Sequence, residues 1–359
     1  MSRESLQQGT ITPTAADEPV LSVRDLSVRF TRRGREDVRA VDGVSFDVRA
    51  GEVVGLVGES GCGKSVTSLA VMGLLPKRGV EVGGQVLLDG RDLRNLPDAE
   101  LRDLRGREVA MVFQDPMNSL NPVVPIGRQV TEVLTRHAGL SGAGARTEAV
   151  ELLRRVGIPD PDRRLGEYPH QLSGGMRQRA LIAISLACKP RLLIADEPTT
   201  ALDVTIQAQV LELLKELVSE SGTAMVLITH DLGVVAGVCD TVNVMYAGRI
   251  VESASRQELF AAPRHRYTAG LLASIPRLDE SRDVPLTTIR GSARDTVPWE
   301  LACAFAPRCP RGDDECVGRD LDLVQDHERD RHLLRCVHPQ PVGEPAMADV
   351  GGLVPRETV

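Results

Sequence analysis

An α/β fold, with an antiparallel β layer laid against a parallel sheet buried on both faces, is what this sequence predicts, and two kinds of apolar run predict it. Between Leu21 and Val48 apolar and polar residues alternate: Leu21, Val23, then Leu26, Val28, Phe30, and later Val44, Phe46, Val48. That is the period of strands with one wet face. Gln85 to Asp89, followed by Gly90, adds strand and turn chemistry. Three other runs are continuous, 53–57, 192–195 and 225–228, and helical segments separate them, as parallel strands covered on both sides require. Asp203 is placed to cap a helix in which Ile206, Val210, Leu213, Leu214 and Leu217 recur at three- and four-residue spacing, and Gly222 ends it.

Composition narrows the function classes. The 359 residues carry 43 Lys plus Arg and 50 Asp plus Glu, a net charge of −7, and are 42% hydrophobic, enough for a core. The length admits two or three domains. One Trp, three Tyr and five Phe in an acidic chain argue against a basic groove that stacks single-stranded nucleic acid. No run nears the ~20 apolar residues of a membrane-spanning helix. The first ten residues lack the apolar region of a secretory signal, so a reducing compartment is expected. Residues 1–18 and 339–359 read as a flexible leader and tail.

Chemistry concentrates after the first buried strand. Gly58, Glu59, Ser60, Gly61, Cys62, Gly63, Lys64, Ser65 fits G-x-x-x-x-G-K-[ST], and an apolar helix is expected to follow through Leu75. Glycines let consecutive N–H groups turn inward, and the helix start adds a favourable dipole for phosphate. The candidate phosphate contacts are Gly58, Ser60, Gly61, Cys62, Gly63, Lys64, Ser65 and Val66, with Lys64 reaching the β- and γ-phosphates and Ser65 ligating Mg²⁺. A chance match in such a chain is on the order of one per cent. The second run delivers Asp196 and Glu197 to a strand end, where Asp196 would hold Mg²⁺ through water and Glu197 would orient and deprotonate an attacking water. A second anion-binding tip comes from Leu172, Ser173, Gly174, Gly175, Met176, Arg177, Gln178, read as a helix start with Ser173 as N-cap. A single nucleotide does not need both tips.

That second tip resembles the LSGGQ signature of the ATP-binding-cassette (ABC) ATPases, P-loop NTPases in which the signature of one subunit closes on the nucleotide held by another. The resemblance extends over roughly residues 20–260 and implies further roles. Phe30 matches the aromatic that stacks on adenine, and Gln114 the glutamine that senses Mg²⁺ and contacts the membrane partner. Ala201, Leu202 and Asp203 match the D-loop, and His230 the switch histidine at the γ-phosphate. Phe113 to Pro122 (FQDPMNSLNP), together with Met176, resembles one branch, the bacterial oligopeptide/dipeptide permease ATPases. Pro263, Arg264, His265, Arg266, Tyr267, Thr268 resembles that branch's Arg-His-Pro-Tyr-Thr run, with Arg266 replacing proline.

Four of the seven cysteines, Cys303, Cys309, Cys316 and Cys336, fall in a loop-rich segment whose apolar residues are too few for a core of its own. Metal ligation can replace burial there. The spacing fits neither a zinc ribbon nor a ferredoxin run. Similar cysteines in the peptide-permease branch imply a [4Fe–4S] cluster, ranked ahead of structural zinc, for which His327, His332 and His338 are nearby substitutes, and of free thiols. Cys62 reads as a tolerated small residue of the phosphate loop, and Cys188 and Cys239 as core fillers.

The expected organisation is therefore a leader 1–18, an ABC ATPase domain 19–262 with an antiparallel β subdomain and a helical subdomain at about 115–185, a Cys-rich extension 263–338 and a tail. The expected protein is the ATPase subunit of a bacterial peptide importer, binding ATP and Mg²⁺ at the cytoplasmic face of the membrane. Its expected partners are a second ATPase subunit in a head-to-tail dimer, two integral permease subunits and, indirectly, a peptide-binding protein, with no nucleic acid. The alternative is a soluble ABC ATPase acting on ribosomes or DNA. One cassette and eight prolines with no sustained heptads between Lys64 and Ser173 speak against it.

Overall fold

The computed structural model describes residues 18–342 apart from 32–33, 35, 201, 276–287, 293–295, 297, 300, 318–320 and 330. Nearly all of the expected leader, the tail beyond Val342, and Ala201 of the D-loop lie outside the described residues.

The strands in chain order are β1 (Leu21–Phe30), β2 (Val38–Val48), β3 (Val53–Val57), β4 (Val80–Leu88), β5 (Arg91–Asp92), β6 (Val109–Val112), β7 (Leu192–Asp196), β8 (Ala224–Thr229), β9 (Thr241–Tyr246), β10 (Arg249–Ser255), β11 (Val324–Gln325) and β12 (Leu333–Leu334). They form two sheets. The first is antiparallel in the order β2-β1-β4-β5, and the second runs β11-β12-β10-β9-β3-β8-β7-β6. From β9 to β6 every pairing is parallel, while β10, β12 and β11 close the far edge antiparallel.

The continuous apolar runs are explained by two cores, one on each face of this sheet. Val54, Leu56, Ile194, Val226 and Ile228 face the antiparallel layer and pack with Val23, Val28, Val44 and Val86. Their neighbours Val53, Val57, Leu193, Ala195, Met225 and Leu227 face helices on the other side. Side chains alternate across a strand, so each run must be apolar throughout.

The helices Ile126–His137, Gly142–Arg155 and Gly174–Leu186 build the helical region expected at about 115–185. Ser173 accepts the Met176 N–H at 3.3 Å and Asp203 that of Ile206 at 3.0 Å, as N-caps. Val204–Ser221 ends at Gly222 with φ 65°. The helix after the phosphate loop is shorter than expected, Lys64–Val71. Gly73 at φ 63° turns the chain, and the Leu74 N–H returns to the Leu69 carbonyl at 2.8 Å.

The extension beyond residue 262 is sewn to β10 by polar groups. Glu252, fully buried, accepts the N–H groups of Arg264 and His265 at 2.6 and 2.9 Å and lies 2.7 Å from Nε2 of His332. Arg264 pairs with Asp326 at 2.7 Å, the two side chains 3% and 4% exposed. Arg266 stands at the first position of the helix Arg266–Ala273, where proline is also favoured, and donates to the Gln340 side chain at 2.7 Å. Gln340 is buried, so the tail read from residue 339 begins later: Arg264 also reaches the Gln340 carbonyl, and these contacts pin the chain through that residue.

Candidate active site

Parallel strands present their C-terminal ends on one edge, so the residues following β3, β6, β7 and β8 gather there. The resulting cleft is lined by Ala40, Gly58–Gly61, Gly63–Val66, Gln114, Glu197, His230 and Leu271. Segments remote in sequence thus share one wall, which the spacing of the motifs alone did not show.

The phosphate loop owes its shape to glycine. Gly63, the N-cap of its helix, has φ 109°, and a Cβ there would sit 2.5 Å from the Ala40 carbonyl oxygen. Lys64 is buried and donates to the carbonyls of Gly58 at 2.7 Å and Glu59 at 3.0 Å, so its ammonium lies inside the loop. Cys62 is buried as well, with Sγ 3.7 Å from Lys64 Nζ. Burial pushes its thiol up despite that cation, so Cys62 is a packed small residue.

Ser65 donates to Asp196 at 3.1 Å and Ser68 to its other oxygen at 3.4 Å. Burial raises the Asp196 carboxyl against these hydrogen bonds. A divalent cation beside Ser65 would compensate the same charge, and the hydroxyl–carboxylate pair fits Mg²⁺.

Glu197 occupies the left-handed region at φ 45°, a strained backbone held by its N–H donating to the Ile228 carbonyl at 2.8 Å. Gln114 and Thr200 each donate to Oε2 at 2.9 Å, and His230 Nδ1 lies 3.2 Å from Oε1. Burial pushes the Glu197 carboxyl up, but the hydrogen bonds from Thr200 and His230 together with the attraction of His230 and Lys64 outweigh it and hold the carboxyl below its ordinary value. An ionised carboxylate in an aqueous cleft next to a phosphate loop is equipped to take a proton from water.

Several candidates stand elsewhere. Phe30 is half-buried and packs against the core beneath the antiparallel layer. Ser173, Gly174 and Gly175 do not line this cleft; Gly174 and Gly175 pack toward Leu202 and Ile206, next to the cap Asp203. The helix start at Ser173, expected to be a second anion-binding tip, is therefore not part of this cleft.

The four C-terminal cysteines converge. Cys303, Cys309, Cys316 and Cys336 line one small apolar cavity with His265, Arg266, Phe305, Arg311 and His338. None of the seven cysteines is in a disulfide. Burial and the neighbouring thiols push Cys336 up to about 12 and Cys303 to about 11. Burial therefore favours the neutral thiols here, and thiolate ligation would require a cation in the cavity to offset that cost. His332 meets Glu252 through Nε2 and does not line this cavity. Asp313, Cys316 and His338 bring ligand atoms within 4.8 Å of one another.

Residues 41–200 match the ABC transporter family and 251–316 the oligopeptide/dipeptide transporter C-terminal region. The chain is 54% identical over 294 residues to the dipeptide transport ATP-binding protein DppD of Bacillus subtilis, covering 82% of this chain and 87% of that one. It is 50% identical over 308 residues to the oligopeptide transport ATP-binding protein OppD of Salmonella typhimurium, covering 85% and 91%. Among solved structures it resembles the ATP-binding cassette MJ0796 in a dimeric post-hydrolysis state bound to ADP and Pi. There the TM-score is 0.59 at 29% identity, over 66% of this chain and 98% of that one.

Proposed function

The chain belongs to the ABC transporter family, among ATP-binding subunits that carry the oligopeptide/dipeptide transporter C-terminal region, and from that membership we propose how it works. It is the ATPase subunit of an importer of di- and oligopeptides, hydrolysing ATP to ADP and phosphate. The observation that carries this reading is Glu197, an ionised carboxylate oriented by Gln114, Thr200 and His230 across a cleft floored by Lys64.

Lys64 exchanges the carbonyls of Gly58 and Glu59 for the β- and γ-phosphates, and the N–H groups of Gly58 and Ser60 through Val66 cradle them. Phe30 stacks on the adenine. Ser65, Asp196 and Gln114 hold Mg²⁺, which when bound neutralises phosphate charge. Glu197 takes the proton of a water that adds to the γ-phosphorus as the bond to the ADP oxygen breaks, and His230 steadies the γ-phosphate. Ser173, Gly174 and Gly175, with the D-loop at Asp203, serve the nucleotide of a second ATPase subunit, a copy or a paralogue, in a head-to-tail dimer. The helical region from Gln114 to about Gly166 passes dimer closure to two integral permease subunits. The chain acts as a peripheral protein on the cytoplasmic side, working indirectly with a peptide-binding protein.

Cys303, Cys309, Cys316 and Cys336 hold a [4Fe–4S] cluster that staples the extension. A structural zinc is the second reading, supported by the close set of Asp313, Cys316 and His338. Affinity capture from membranes tests the assembly: two integral subunits and a second cassette should co-purify. Recovery of ribosomes or DNA-bound partners instead would overturn it.

A further inference from the structure

Glu59 places a carboxylate in the phosphate loop, beside the position a triphosphate takes on the reading above, on which this inference rests. Unbalanced, that charge repels the ligand. It is balanced from a distant part of the chain. Arg308 grips it with both terminal nitrogens, Nη1 to Oε2 at 2.6 Å and Nη2 to Oε1 at 3.0 Å, across 249 positions of sequence. The Arg308 side chain is only 2% exposed; its Nε donates to the Arg290 carbonyl at 2.8 Å, and the guanidinium lies over the rings of Tyr246 and Phe305.

The rest of Glu59 is held too. Its N–H donates to the Tyr267 hydroxyl at 2.8 Å and its carbonyl accepts from Lys64 at 3.0 Å. The Cys62 N–H also reaches that carbonyl at 3.3 Å, so two of the four hydrogen-bond partners of this residue, Tyr267 and Arg308, come from the extension beyond residue 262. Arg308 sits in the turn Ala306–Arg308, closed by Ala306 N–H to the Cys303 carbonyl at 2.8 Å and by Cys309 N–H to the Ala306 carbonyl at 3.2 Å. The cation is carried on the segment that also supplies two of the clustered thiols.

We propose that Arg308 is a positioning residue of the ATP site: it neutralises and orients Glu59, so that the phosphate loop accepts a triphosphate with its backbone already in place. Buried, bidentate and anchored at Nε, it is preorganised for that task. Phosphate affinity is then set partly by the C-terminal extension, which holds Glu59 through Arg308 and Tyr267.

The test measures steady-state hydrolysis of MgATP by the full-length chain and its variants. Arg308→Met should raise KM about tenfold with kcat within about twofold, and the defect should shrink at high salt, where exposed charge is screened. Adding Glu59→Gln to Arg308→Met removes the unbalanced carboxylate and should bring KM back to within about threefold of the parent. A normal KM in Arg308→Met, or no recovery in the double variant, overturns the proposal. If Arg308→Met does not fold, Arg308→Lys decides. An ammonium keeps the charge but cannot grip both carboxylate oxygens as the guanidinium fork does, so KM should rise about two- to fivefold with kcat unchanged, and an unchanged KM overturns the proposal. A parent chain that neither binds nor hydrolyses MgATP would instead sink the ATPase reading.

Discussion

The side-chain amide of Gln114 donates to the carboxylate of Glu197 at 2.9 Å although 83 positions separate them. Gln114 follows β6 and Glu197 follows β7, adjacent parallel strands, so sheet register sets the contact. On the proposed reading, in which Gln114 opens the helical region, displacement of that region would reach the Glu197 carboxylate through this hydrogen bond. Coupling between transport and hydrolysis needs a contact of this kind.

Replacing Glu197 with Gln keeps the shape and removes the proposed base. MgATP binding should stay within a few-fold while kcat falls by about 10² to 10⁴, the range of general-base catalysis. Ordinary turnover in this variant would remove Glu197 from its role.

The acid limb of kcat tests the electrostatics of the same group. Thr200 donates to Glu197 at 2.9 Å and favours the ionised form. Thr200→Val deletes that donor, so the Glu197 pKa rises and the acid limb moves to higher pH, with less active base below it. A pH–rate profile that stays put, or moves to lower pH, contradicts the assignment.

Gly63→Ala should cost both fold and ligand. At φ 109°, with the Ala40 carbonyl 2.5 Å from the new Cβ, the loop must shift. The expected loss is about 1–3 kcal/mol of stability and a weaker affinity for MgATP. Melting and equilibrium dialysis read these directly, and parent values in both would refute the strain argument.

Asp326→Asn breaks a buried pair while leaving Arg264 charged. Arg264 keeps Glu328 at 2.9 Å, so the loss is that of a charge-assisted hydrogen bond, about 1.5–3 kcal/mol, and the melting temperature should drop by a few degrees. An unchanged melting curve would mean that the pair does not hold the extension on β10.

Metal analysis of anaerobically purified protein decides whether the four-thiol cavity holds a cluster, a zinc ion or free thiols. Iron and acid-labile sulfide at about four each per chain, with broad absorbance near 400 nm, are expected for a cubane cluster. One zinc per chain and no colour would replace it with the zinc reading.

How much is legible in the sequence differs by region. The parallel strands are readable because a sheet covered on both faces forces unbroken apolar runs, and the antiparallel layer because its alternating strands pack one face on a core. Helix caps at Ser173 and Asp203 and the stop at Gly222 are readable because capping is local chemistry. Lys64, Ser65, Asp196, Glu197, Gln114 and His230 can be nominated one at a time from motif and resemblance. The early end of the helix after the phosphate loop is not readable, since Leu74 and Leu75 continue the apolar pattern past the turn at Gly73.

Sequence alone thus determined the strand classes, the phosphate loop and the kinds of residue at the site, because periodicity and backbone permissiveness act over a few neighbouring positions. Only the tertiary structure decided which of those residues touch. Gln114 meets Glu197, Arg308 meets Glu59, the four thiols share one cavity, and Ser173 does not line the cleft of its own chain's phosphate loop. Those relations depend on strand order and on packing between segments up to 249 positions apart, and no local pattern of side chains encodes them.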